Sequence, residues 1–311
     1  MRLTTGTYTG NGLDNRGITG VGFQPELVII HDTNTADSYV GVWKTASMAG
    51  DSAFFFQNSP LGANNIQSLD ADGFQVGSST SVNKDTLLYA YAAFKKDAAT
   101  DFNYGSFAGN DADDRWITGV GFQPDFIFIK SDADGIMNNH WISSLGGDQT
   151  LNTQSCTGGP IFNNIIQAVN GDGFQVGNRD DTYQSSNKTG QTYYWFAFKQ
   201  VAGGIKVGNY TGNDADDRSI TGVGFQPTFV LLSNITTVAR QNAIRYGTVG
   251  DLSGYCGGGW TADLIQALET DGFQVGSYFN VNKVAEVYHY FACKDNPYVA
   301  RGTTGLQSKY W

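Results

Sequence analysis

One eight-residue string, ITGVGFQP, occurs three times in this chain, at Ile18–Pro25, Ile117–Pro124 and Ile220–Pro227. A second string, DGFQVG, also occurs three times, at Asp72–Gly77, Asp172–Gly177 and Asp271–Gly276. Within the copies the second string starts 54, 55 and 51 residues after the first, and the copies recur at intervals of about 100 residues. Internal repetition of this kind bounds the fold before any local propensity does. The interval is too long for solenoid repeats of roughly 20–45 residues and fits a whole small domain. The 311 residues therefore read as three tandem homologous domains, 1–98, 99–202 and 203–295, followed by a tail of residues 296–311.

Each copy runs through the same order. An aromatic residue and a glycine turn open it, at Tyr8, Phe107 and Tyr210. An acidic turn and an arginine follow (Arg16, Arg115, Arg218), then ITGVGFQP and an apolar run. After a variable stretch come DGFQVG, an Asn-Lys loop and a closing aromatic run, YAYAAFK, YYWFAFK or YHYFACK. Short runs rich in Val, Ile, Phe and Tyr, bounded by Gly, Asn and Asp, are strands and turns. In the second closing run Tyr193, Trp195 and Ala197 share one face and Tyr194, Phe196 and Phe198 the other. Both faces are apolar, which predicts burial on both sides. One window, 163–173, has a helix-like pattern but is too short to be read as a helix. The fold class expected is all-β: three antiparallel β-sandwiches of about seven or more strands each, open to a pseudo-threefold arrangement.

Composition narrows the partners. Nineteen basic residues face 29 acidic ones, the net charge is −10, and no basic run appears. Recognition of a nucleic-acid backbone needs clustered Lys and Arg, so no nucleic-acid partner is expected. No stretch approaches the ~20 apolar residues of a membrane span, and MRLTTGTYTG lacks the apolar run of a signal peptide. Membrane insertion is not expected, and synthesis in a cytoplasm is.

The acidic turns are candidate cation sites, because Ca²⁺ takes several oxygen ligands from such loops. They offer Asp111, Asp113 and Asp114 in the second copy and Asp214, Asp216 and Asp217 in the third; the alternative is turn capping by Asx side chains. The recurring arginines are expected to pair with neighbouring Asp side chains or a loop carbonyl. Trp43, Trp141 and Tyr246, in the variable stretches, are candidate glycan contacts through stacking on sugar rings; the alternative is the core. Glycoside hydrolysis needs a protected pair of carboxylates, and Glu is confined to Glu26, Glu269 and Glu286. No cofactor is expected beyond that possible Ca²⁺. Three cysteines, with no CxxC pair, leave Cys293 as a small core residue and Cys156 and Cys256 as free thiols or a bridge. The divergent segments 31–63, 131–162 and 234–261 are the natural recognition loops of a rigid scaffold. In the tail, Tyr310 and Trp311 could anchor the chain in a neighbouring subunit.

Together YTGN, DDR, ITGVGFQPDFIFIK, DGFQVG, VNK and YYWFAFK resemble a domain recurrent in tailed-bacteriophage structural proteins, including tail fibres. The resemblance covers all three copies and is best in the second, through Gly109, Asn110, Arg115, Phe122–Pro124, Lys130 and Asp172–Gly177. It implies a concanavalin-A-like β-sandwich and no catalytic residue. The lysine after the apolar strand is His31 in the first copy and Ser233 in the third. No collagen-like or coiled-coil stretch accompanies the repeats, which leaves a capsid decoration open beside a tail fibre. The resemblance thus implies a non-enzymatic protein on the virion exterior, oligomeric or assembled on the particle with other virion proteins. The alternatives are a carbohydrate-binding adhesin for a host-surface glycan and, more remotely, a glycan hydrolase.

Overall fold

A computed structural model of the protein describes residues 1–35, 39–97, 101–152, 161–236 and 241–295. In the first copy the strands are β1 (Arg2–Thr9), β2 (Arg16–Thr19), β3 (Leu27–Asp32), β4 (Val42–Thr45), β5 (Phe54–Phe55), β6 (Ile66–Asp70), β7 (Gly73–Val76) and, after the single turn α1 (Thr80–Asn83), β8 (Leu88–Lys95). They form a large sheet, β1-β8-β3-β4-β5, and a small one, β2-β7-β6. The pairings are antiparallel.

The second copy repeats the plan with β9 (Phe102–Ala108), β10 (Arg115–Thr118), β11 (Phe126–Ser131), β12 (Asn139–Ile142), β13 (Thr150–Asn152), β14 (Ile161–Phe162), β15 (Ile166–Asn170), β16 (Gly173–Val176) and β17 (Thr192–Phe198). The third has β18 (Ile205–Thr211), β19 (Arg218–Thr221), β20 (Phe229–Asn234), β21 (Ala243–Tyr246), β22 (Ser253–Tyr255), β23 (Trp260–Thr261), β24 (Ile265–Glu269), β25 (Gly272–Val275), α2 (Phe279–Asn282) and β26 (Val287–Cys293). Their large sheets are β9-β17-β11-β12-β13-β14 and β18-β26-β20-β21-β22-β23, and their small ones β10-β16-β15 and β19-β25-β24. The helix-like window 163–173 is β15 and the start of its hairpin. Its Val169 pairs with Phe174, and a register shift between Ile166 and Ala168 disturbs the alternation that would otherwise have marked a strand. Among the described residues no helix is long and apolar enough to cross a membrane.

Within each copy the small sheet covers one face of the large sheet over its own core: Ile18, Phe74 and Tyr91 in the first, Ile117, Phe174 and Trp195 in the second, Ile220, Phe273 and Tyr290 in the third. The runs LVII, FIFI and FVLL are apolar on both faces, so the second face of each large sheet also needs cover. The three sheets supply it to one another. Leu27, Ile29, Phe94, Phe126, Phe128, Phe198, Phe229, Leu231 and Phe291 belong to one central core. Rings meet across the copies: Trp43 and Phe128 at 5.4 Å, Phe94 and Phe198 at 5.3 Å, Phe94 and Phe229 at 5.9 Å, and Phe126 and Phe291 at 4.4 Å between centroids. They leave a residual cavity of about 10 Å³ walled by apolar side chains. The tandem sandwiches are thus three faces of one prism.

The seams carry the threefold pattern. The fifth residue of each middle strand, His31, Lys130 or Ser233, points inward at the same level. Each reaches the preceding copy in cyclic order. The Lys130 amine donates to the carbonyls of Phe55 and Gln57, Ser233 hydrogen-bonds Nε2 of His140 at 2.9 Å, and His31 engages Tyr246 and Cys256. Asn138 and Asn242 repeat the relation, donating to Phe55 of the first copy and Asn152 of the second, both at 2.9 Å. The third equivalent is Gly41, where a Cβ would sit 1.8 Å from Nε2 of His31. Glycine there is what lets the larger imidazole cross the seam.

Candidate functional site

The two repeated strings hold each other. The carboxylate of Asp72 accepts from the amides of Gly20 (3.1 Å) and Gly22 (2.7 Å). Asp172 does the same with Gly119 and Gly121, and Asp271 with Gly222 and Gly224. These amide bonds hold the Asp271 carboxyl below its usual range. Both glycines of each pair have φ between 83° and 87°, a region that L side chains avoid. This clasp is scaffold and explains why both strings recur together.

At the other end of each sandwich a buried asparagine of the Asn-Lys loop is the hub. Asn187 donates to Oδ1 of Asn110 and the carbonyl of Ala112, both at 2.7 Å, and accepts from Arg115 at 2.9 Å and the Asn110 amide at 3.3 Å. Asn83 and Asn282 make the same four bonds in their copies. Each arginine also donates to a strand carbonyl, of Thr9, Ala108 or Thr211, and lies over an aromatic ring. The arginines thus pair with a strand-end carbonyl and an asparagine, where neighbouring Asp side chains or a loop carbonyl had been expected. Replacing Asn187 by alanine strands this set of polar groups and is expected to cost about 2–4 kcal/mol, read as a lower denaturant midpoint.

The aspartates of the acidic turns serve those turns. Asp111 accepts from the Thr189 amide at 2.9 Å, which lowers its pKa; Asp214 accepts from Val284 and Lys283, both at 3.0 Å, with the same effect. Asp113 and Asp216 each accept from the next residue's amide, of Asp114 and Asp217, at 3.0 Å. Asp114 and Asp217 adopt left-handed φ of 55° and 53°. Asp111, Asp113, Asp214 and Asp216 thus bond separate backbone amides of these turns, which is the capping role weighed for them beside a cation site. Among the described residues no three His, Cys, Asp or Glu side chains come together.

The expected glycan contacts are corrected. Trp43 and Tyr246 are fully buried in the central core, and Trp141 is 5% exposed within the second copy's own core. The three do not occupy equivalent positions. Register aligns Trp43 with His140 and Ile244, Trp141 with Lys44 and Arg245, and Tyr246 with Thr45 and Ile142. Cys256 and Cys293 are also buried, and burial pushes both thiols up. Cys156, Tyr310 and Trp311 lie outside the described residues.

Two features stand out on the surface. A groove of about 510 Å³ at the seam between the first and second copies is lined by Gln24, Glu26, Lys44, Met48, Gln67, Leu69, Lys95 and Tyr104 among others. Burial brings Lys44 down to about 8, and burial together with the neighbouring Glu26 brings Tyr104 up to about 12. Glu26 accepts from the Lys96 amide at 2.5 Å and from the Tyr104 hydroxyl at 3.3 Å. Asp125 makes the matching bond to the Gln200 amide, so the carboxylate is part of the frame. Among the described residues that line the groove, Glu26 is the one carboxylate.

The second feature is Trp116 on β10, 41% exposed. Its equivalents are Gly17 and Ser219. The signal was in the sequence, as RGI, RWI and RSI immediately before TGVGFQP, but the repeat drew attention to what is shared.

A family model described as Domain of unknown function (DUF7483) matches the chain twice, at residues 3–106 and 97–206. No curated protein matches it.

Proposed function

We propose that this chain, which belongs to the DUF7483 family, is a non-enzymatic structural protein on the exterior of a tailed-phage virion, associated with the tail or decorating the capsid. The observation that supports this reading is the shared central core. Three homologous sandwiches are committed to one rigid three-sided body, and the buried ionisable residues His31, Lys130, His140 and His289 serve its seams. That arrangement presents surface and loops rather than a protected reaction centre. Its motifs resemble those of virion structural domains, and its acidic surface suits contacts with proteins rather than nucleic acid.

Immunogold labelling of purified intact particles from the source tests the reading. Gold on the outside of heads or tails is the expected result. A chain that stays in the soluble fraction while particles remain unlabelled would overturn it.

A further inference from the structure

We infer that the outer face of the second copy's small sheet, centred on Trp116, binds a neutral pyranose chain. The inference stands apart from the virion reading, because it concerns what the face holds and not where the protein sits.

Register places Trp116, Gln175 and Ala168 in one row across β10, β16 and β15, and Thr118, Gly173 and Asn170 in the next. The alternate residues Ile117, Phe174 and Ile166 point into the core, so these two rows face outward. Trp116 offers an apolar plate beside Gln175, with the small Ala168 one strand beyond, a surface on which the C–H face of a sugar ring can lie. Gln175 donates to the Asp114 carbonyl at 2.9 Å, which fixes its amide with the oxygen left as an acceptor. Asn170 accepts from the Asp172 amide at 2.9 Å, which leaves its NH₂ as a donor. An acceptor, a donor and the Thr118 hydroxyl spread over three strands beside one aromatic plate can meet the hydroxyls of successive rings of a pyranose chain.

Two departures coincide on this face. The equivalents of Trp116 are Gly17 and Ser219, and the equivalents of Asn170 are Asp70 and Glu269. Only the second copy joins an aromatic residue to an uncharged amide there. The scaffold does not require the tryptophan, since the other copies keep the same strand register without it. The net charge of −10 disfavours an acidic polysaccharide and selects the neutral class.

Trp43, Trp141, Trp195 and Trp260 are all buried, so the fluorescence difference between the wild type and Trp116→Ser isolates an exposed indole. Serine is the residue of the third copy at this position, so the variant is expected to keep the wild-type melting temperature. The full chain is titrated with cellohexaose, maltohexaose, laminarihexaose and chitohexaose at up to millimolar concentration. At least one is expected to shift the Trp116 emission, with affinity lowered at least tenfold in Trp116→Ser and lowered in Asn170→Asp. The inference is overturned if none of the four alters the emission, or if Trp116→Ser binds as tightly as the wild type. Binding confined to acidic glycans or to a protein would overturn it too.

Discussion

Replacing Phe128 by alanine is expected to destabilise the entire chain by about 3–5 kcal/mol and to lower its melting temperature by roughly 5–8 °C, in one transition. Phe128 is 1% exposed. It stacks on Phe196 at 4.8 Å, and Trp43 and Phe56 of the first copy meet its ring edge-on at 5.4 and 5.6 Å. Its loss therefore opens a cavity bounded by more than one copy. Residues 99–202 produced alone should not fold cooperatively, because Phe126, Phe128, Phe196 and Phe198 would then face water on the uncovered side of the sheet. Calorimetry decides the matter. Separate transitions, with only one displaced by the substitution, would mean that the copies fold independently, as would a sharp melt of the isolated segment.

Acidification is expected to unfold the protein between about pH 6 and pH 4. The Tyr246 hydroxyl donates to Nδ1 of His31 at 2.8 Å, and Nε2 of His31 meets the Cys256 carbonyl at 3.3 Å and so carries the proton. Burial brings His31 down to about 4. His140 shares Nε2 with Ser233, while its buried Nδ1 has no partner among the described residues for a second proton. Burial, with nearby His289, brings His140 down to about 3. Both folded values lie below the ordinary histidine value of 6.5. The unfolded chain therefore binds more protons, and the stability present above pH 6.5 is lost as the pH falls towards the folded values. Each of these two histidines carries on the order of 3–5 kcal/mol, a large share of a typical folding free energy of about 5–15 kcal/mol. Circular dichroism against pH measures the midpoint. His140→Gln is expected to move it to lower pH, and an unmoved midpoint would assign acid unfolding to the carboxylates instead.

Much of the frame was legible because it was written three times. The strings predicted strands, turns and two-sided burial, and the closing run YYWFAFK divides between two cores as its alternation implied. The shared core was only half legible. A doubly apolar strand announces that both faces are covered but not what covers the second one, and that is decided by packing between segments about 100 residues apart in sequence. Trp43 and Tyr246 stayed open between a glycan contact and the core for this reason: what covers them is the neighbouring sheet. The hub Asn83, Asn187 and Asn282 was visible as a recurring Asn-Lys pair, yet nothing local tells a buried asparagine from a turn residue. Trp116 was hidden by the repeat itself, since a surface that one copy does not share with the others shows up only as a mismatch.

The seams joining His31 to the third copy, Lys130 to the first and Ser233 to the second lie within one polypeptide. A trimer of separate chains must put the same residue at all three axial places and falls apart on dilution. Here the contacts form at an effective concentration set by the connecting chain, so stability should not depend on protein concentration and no subunit exchange can occur. Three axial positions can also hold an imidazole, an amine and a hydroxyl at once. A single gene thereby gains an assembly of fixed stoichiometry whose three sides are free to diverge separately.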